Sequence, residues 1–181
     1  MHQIDITQLH TYLQLFPEES ATINAFEHFL QQSQPIKQSI KGSAWIINAE
    51  DSSVLLHFDQ RNNTWTPHIC SIESNNTQQP LIDIIKTSII ACVNLSSPQP
   101  ITHHPFHIQI GLDKQAEKPF YYFNICYQFL VENRALDAEI DTHMWVPLVD
   151  ILTTKKYATV KPLAKKWQLM HYSNAMVTDK I

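Results

Sequence analysis

Only two glycines, Gly42 and Gly111, occur in the 181 residues of this chain. Average usage of about 7% would give roughly a dozen. Glycine lets backbone approach phosphate closely, so this scarcity excludes a phosphate-cradling loop and a Gly-x-Gly-x-x-Gly dinucleotide turn. Several classes of nucleotide-handling enzyme leave with those motifs. The remainder of the composition suits one compact domain over residues 1–181, with 44% hydrophobic and 17% charged residues. No apolar run approaches the ~20 residues that cross a bilayer. Met1 to Asp5 lacks the basic and apolar regions of a secretory signal. Cys70, Cys92 and Cys126 are odd in number and form no CxxC, which fits free thiols and a cytoplasmic location.

Charge divides unevenly. Residues 151–181 hold six Lys and one acid, leaving seven basic and sixteen acidic residues for 1–150. Lys155, Lys156, Lys161, Lys165 and Lys166 read as a solvated helix face. With a net charge of −4 overall, nucleic acid is a disfavoured partner.

Leu9, Tyr12, Leu13 and Phe16 fall at helical spacing, and Pro17 starts a second helix with Glu18 and Glu19 in its first turn. Ile23, Phe26, Phe29 and Leu30 give that helix an apolar face. Residues 43–49 and 53–58 are β-branched and aromatic runs around Glu50-Asp51-Ser52, the pattern of a hairpin. Residues 62–64 read as a turn and 70–80 as a polar, turn-rich stretch. Residues 81–93 (LIDIIKTSIIACV) are ambiguous, since five isoleucines favour a strand while Leu81, Ile85, Ser88, Ile89 and Cys92 share one helical face. Strands are expected over 105–112, 119–131 and 142–146, and an amphipathic helix over 158–170. Helices at both ends with strands between predict an α+β layered domain.

Five stretches, in order, resemble one group of bacterial Nudix hydrolases across residues 5–167. FPEE (Phe16 to Glu19) is similar to that group's helical N-terminal extension. GSAWIINAEDSSVLLHF (Gly42 to Phe58) resembles its opening hairpin, with Trp65 where the group has Trp before Gly-Gly-His. FYYFNICYQF (Phe120 to Phe129) is similar to a strand reading His-x-His-x-Asp-x-Arg-Tyr. DTHMWVPLVDI (Asp141 to Ile151) and YATVKPLAKKW (Tyr157 to Trp167) resemble the late Trp-Val-Pro-Leu step and the closing helix. The resemblance implies a Nudix-type α/β/α sandwich with a mixed sheet. It implies an N-terminal helical extension over 1–38, a core over 42–170 and a tail over 171–181. It also makes 81–93 the Nudix helix.

The family signature is Gly-x5-Glu-x7-Arg-Glu-apolar-x-Glu-Glu-x-Gly-apolar. Counted from Trp65 without gaps, its arginine falls on Ile84 and its helix glutamates on Ile85, Ser88 and Ile89. With a two-residue insertion they fall on Lys86, Thr87, Ile90 and Ala91. The earlier glutamate becomes Asn76 or Gln78, and the glycines become Cys70 or Ile72 and Ala91 or Val93. Asp83 is the one carboxylate of the segment. Diphosphate hydrolysis needs Mg²⁺ or Mn²⁺ held by clustered carboxylates. The expectation is therefore no catalytic residue, no metal ligand and no Mg²⁺ cofactor. The strand that carries His, His, Asp and Arg in the group holds Phe120, Tyr122, Asn124 and Cys126, and Gln109 and Gly111 stand where the preceding strand has Asp and His.

Other patterns carry less. His103-His104-x-x-His107 reads as loop histidines around Pro105, and Cys70 beside His68 is a weak nucleophile pair. Tyr121, Tyr122, Phe123 and Tyr127 read as core aromatics more than as a stacking platform. Arg61, Trp65, Glu73, Gln109, Tyr122 and Asn124 are the candidate ligand-binding residues of a cleft beside residues 81–93. Three functions compete: a non-catalytic protein binding a nucleotide-like small molecule or a protein partner, an atypical hydrolase, and a structural or oligomer-forming domain, with a homodimer among the forms the last takes.

Overall fold

The computed structural model describes residues 6–31, 40–72, 79–93, 95, 97–113, 120–132 and 142–178. Its elements in chain order are α1 (Ile6–Leu15), α2 (Ser20–Gln31), β1 (Ile40–Asn48), β2 (Ser53–Asp59), β3 (Thr64–Thr66), β4 (His68–Ser71), α3 (Leu81–Val93), β5 (Gln99–Pro100), β6 (His107–Asp113), β7 (Phe120–Val131), β8 (His143–Pro147), α4 (Leu148–Thr153) and α5 (Lys161–Thr178). Short 3-10 turns at Pro17–Glu19 and Lys155–Tyr157 precede α2 and α5. Pro17 and the two glutamates thus form their own turn, and α2 starts after it.

One mixed sheet holds the eight strands. Its main path runs β3-β2-β1-β7-β5, with β4 also on β1, β6 also on β7 and β8 also on β2. The central pair is parallel, running from Ile40 opposite Phe123 to Asn48 opposite Val131. All other pairs are antiparallel. Alternation along β1 sends Ala44 and Ile46 to one core, under α1, α2 and α3, and Trp45 and Ile47 to another, under α4 and α5. The result is a three-layer α/β/α sandwich.

The ambiguous segment is helical over its full predicted span. Leu81, Ile82, Ile85, Ile89 and Val93 are buried, each worth about 1.5–3 kcal/mol. That outweighs a β-branched penalty of roughly 0.5 kcal/mol per residue in a helix. Cys92, expected on the buried face, is exposed, because the face is centred on Ile85 and Ile89 with Ile82 and Val93 at its sides. The closing helix continues to Thr178, into the stretch read from sequence as a tail.

The two glycines both serve close packing. A Cβ on Gly42 would lie 2.7 Å from Ile85 Cγ1 and 2.9 Å from Cys70 Sγ, so α3 sits directly on β1 there. On Gly111 it would fall 2.3 Å from the Tyr122 ring. The left-handed positions are held by Ser52, Asn63 and Ser97 instead, with φ of 56°, 50° and 51°. Strands β3 and β4 went unpredicted, because runs of three and four residues are too short to show a period of their own.

Candidate functional site

On the sheet face beneath α3, three histidines from three strands meet. His57 on β2 and His143 on β8 are direct register partners, with ring centroids 4.7 Å apart. His68 on β4 brings its ring to 5.9 Å from His143. Alternation places all three on one side: His57 follows Leu55, His68 precedes Cys70, and His143 precedes Trp145, and those neighbours pack in the α3 core. Ser88 of α3 closes the group, its Oγ 3.2 Å from His68 Nε2. Thr142 Oγ1 stands 3.2 Å from His143 Nδ1.

Burial lowers the His68 pKa to about 4, with the neighbouring His143 and His57 adding to it. His143 is lowered to about 4 by burial and then by His57. Both rings are neutral near pH 7. His57 Nδ1 and His143 Nε2 are buried without a hydrogen-bond partner among the described residues. Cys70, on the same face, is no activated nucleophile, since burial pushes its thiol up to about 11.

The positions that the family signature assigns to its helix glutamates lie on α3 above this group. Ile85 and Ile89 are fully buried, and Ser88 faces His68. In the shifted count, Lys86, Thr87, Ile90 and Ala91 are half-buried or exposed and none is an acid. Asp83 is exposed on the first turn of α3.

The residues proposed from sequence for a ligand cleft do not gather in one place. Gln109 and Asn124 are register partners on β6 and β7, and Tyr122 lies beside them over Gly111. Lys41 Nζ sits 4.1 Å from the Tyr122 ring centroid and 3.2 Å from Asp113 Oδ2. Asn124 Oδ1 is buried without a partner among the described residues. Trp65 stands on β3, against Phe58 at 5.2 Å, Tyr157 at 6.2 Å and the Lys156 ammonium at 5.0 Å. Arg61 is exposed in the turn before it. Two groups result, separated by β2 and β1, on the face away from α3. Glu73 lies outside the described residues. Of the strand aromatics, Phe123 and Tyr127 are core while Tyr121 is exposed. His103 and His104 sit in the loop before β6, with His104 Nδ1 2.9 Å from the Pro105 carbonyl.

A second polar group wraps the β6 edge. Tyr12 donates to Glu19 and accepts from the Ile108 backbone N–H at 3.2 Å. Lys166 of α5 donates to Tyr12 Oη at 2.8 Å and to Glu19 Oε1, and stands 3.5 Å from the Phe16 ring centroid. His107 Nδ1 is 3.7 Å from Glu19. Burial pushes the Glu19 carboxyl up, but the nearby His107 ring and the hydrogen bonds from Lys166 and Tyr12 outweigh it and hold the pKa at about 2. Burial, then the bond to Glu19, raises Tyr12 far above its ordinary value. Lys166, expected on a solvated face, is therefore an interior cation; its place three residues after buried Leu163 was the available signal.

Neither a protein-family model nor a curated protein matches the sequence. Solved structures do match the fold. A Nudix-family hydrolase from Clostridium perfringens superposes with a TM-score of 0.55 at 17% identity, over 74% of this chain and 98% of that one. The Ap4A hydrolase of C. elegans gives 0.52 at 13% identity, over 73% and 97%. This chain has the Nudix fold. The Nudix domain of Shewanella oneidensis NrtR, solved with ADP ribose, gives 0.50 at 14% identity over 78% and 97% of the two Nudix-fold chains. Among the described residues of this Nudix-fold protein, no helix is long and apolar enough to cross a membrane.

Proposed function

We propose that this Nudix-fold chain has lost metal-dependent diphosphate hydrolysis and acts as a non-catalytic protein that binds a nucleotide-like ligand or a protein partner. The observation behind this reading is the underside of α3. Ile85 and Ile89 are fully buried, with Ile85 packed on Gly42, and neither offers an anionic ligand to a hard cation. The ADP ribose bound by the NrtR Nudix domain supports the nucleotide-like ligand class. Exposed Ile110, Leu112 and Tyr121 on paired β6 and β7 offer a surface for a protein partner.

The test combines calorimetric titration of nucleoside diphosphate derivatives, ADP ribose included, with phosphate-release assays in Mg²⁺ and Mn²⁺. Saturable binding without turnover is expected. An active enzyme gains at least ~10⁶-fold over the uncatalysed rate, so the two outcomes are far apart. Glutamates restored at Ile85, Ser88 and Ile89 should not rescue activity, because the signature glycines are absent as well. Metal-dependent turnover that survives re-purification and vanishes on a substitution at α3 would refute the reading and promote an atypical hydrolase.

A further inference from the structure

We propose that His57, His68 and His143 form a binding site for one borderline divalent cation of the Zn²⁺, Ni²⁺ or Co²⁺ type. The site is independent of the functional reading above, because it uses none of the positions of the family signature as ligands.

Three observations carry it. The first is spacing. Two imidazoles sharing one Zn²⁺ at Zn–N distances of about 2.0–2.1 Å bring their ring centroids to roughly 5 Å. The His57 and His143 rings already stand 4.7 Å apart, and His68 is 5.9 Å from His143. Among the described residues no group of three ligating side chains stands so that it could hold a metal ion, so the proposed site is not preformed. Binding therefore includes an inward turn of the His68 ring, which exchanges its contact with Ser88 Oγ for the cation.

The second is the pair of orphaned nitrogens. His57 Nδ1 and His143 Nε2 are buried with no partner among the described residues. A buried polar atom left unpaired is unfavourable. A ring-nitrogen lone pair is what a cation accepts. The other nitrogen of His143 is already beside the Thr142 hydroxyl at 3.2 Å, the kind of outer contact that fixes the tautomer of a metal-bound imidazole.

The third is chemistry. Imidazoles suit Zn²⁺, Ni²⁺, Cu²⁺ and Co²⁺, whereas Mg²⁺, Mn²⁺ and Ca²⁺ need oxygen ligands. The nearest acid on α3, Asp83, points to solvent.

The experiment uses full-length protein stripped with a chelator, titrated with Co²⁺ followed by visible absorption and with Zn²⁺ in competition. One ion per chain with a Kd near or below about 10 µM is expected. His57→Gln and His143→Gln should each weaken binding by about 10- to 100-fold, and His103→Gln should leave it unchanged. Imidazole NMR of the unmodified protein covers the case in which a variant fails to fold. Co²⁺ should broaden the three cluster histidines before any other. No binding tighter than about 1 mM, or broadening centred on His103 and His104, would overturn the proposal.

Discussion

Around Glu19 and Lys166 the carboxylate and the ammonium both have partners, whereas around His57, His68 and His143 two buried ring nitrogens have none among the described residues. Both groups are largely withdrawn from water, and both draw residues from distant parts of the chain. The first spends its carboxylate, ammonium and phenol on one another, with His107 Nδ1 left unpaired among the described residues. Tyr12 even satisfies the outward N–H of Ile108, which seals an open strand edge. That is the signature of a structural joint. The second holds the neutral rings of His68 and His143 in reserve, each beside a hydroxyl, from Ser88 and Thr142 respectively. Paired charges mark a group that serves the fold, and two unpaired nitrogens on facing rings mark one open to something else.

The contrast breaks most visibly by substitution in the first group. Glu19→Ala leaves the Lys166 charge in its enclosed site without a counter-ion. A loss of about 3 kcal/mol is expected in urea unfolding. A loss below about 0.5 kcal/mol would show the network to be ornamental. The seat of the histidine group comes next. Gly42→Ala drives a methyl into the Ile85 and Cys70 side chains, which must give way between α3 and β1. About 2 kcal/mol of destabilisation is expected in the same assay, and an unchanged midpoint would mean that the helix gives way freely.

Acid offers a third handle. The Glu19 pKa falls from 4.5 to about 2 on folding, so its contribution is present above pH 4.5 and is lost as pH drops through 2. Discounted for partial exposure, roughly 1–2 kcal/mol should disappear across that window. Stability–pH profiles of the natural chain and of Glu19→Ala should converge there; parallel profiles would place the linkage elsewhere. The smallest effect belongs to the second group. His57→Leu removes a nitrogen that pairs with nothing described, so stability should change by less than about 1 kcal/mol in metal-free buffer. A loss as large as that of Glu19→Ala would erase the distinction between the two groups.

Much of the frame was legible in the chain. The helical face of 81–93, the opening hairpin and the long aromatic strand each declare themselves through local period, and the ordered resemblances chose helix where five isoleucines argued for strand. The short strands β3 and β4 did not, because three and four residues show no period until their partners are known. The histidines were invisible for a similar reason. His57, His68 and His143 sit on three strands and share no spacing, so only the sheet register brings them together. Lys166 was read as one of a run of surface lysines, although its counter-ion lies near the other end of the chain. Gln109, Tyr122 and Asn124 share one face of β6 and β7, away from α3, while Trp65 and Arg61 belong to a different hairpin, so the cleft expected beside residues 81–93 does not gather them.

The parallel pairing of β1 with β7 sets a schedule for biosynthesis. Each register partner on β7 follows its β1 residue by 83 positions, from Ile40 with Phe123 to Asn48 with Val131. At about 5–20 residues per second, a ribosome takes roughly 4–16 s to deliver the second strand after the first. During that interval β1 has only its antiparallel neighbours β2 and β4, and one flank of an apolar strand lies bare. The nascent chain therefore passes through a stage with an unsheltered edge, and protection by a chaperone or by slow, ordered emergence matters most between residues 48 and 131.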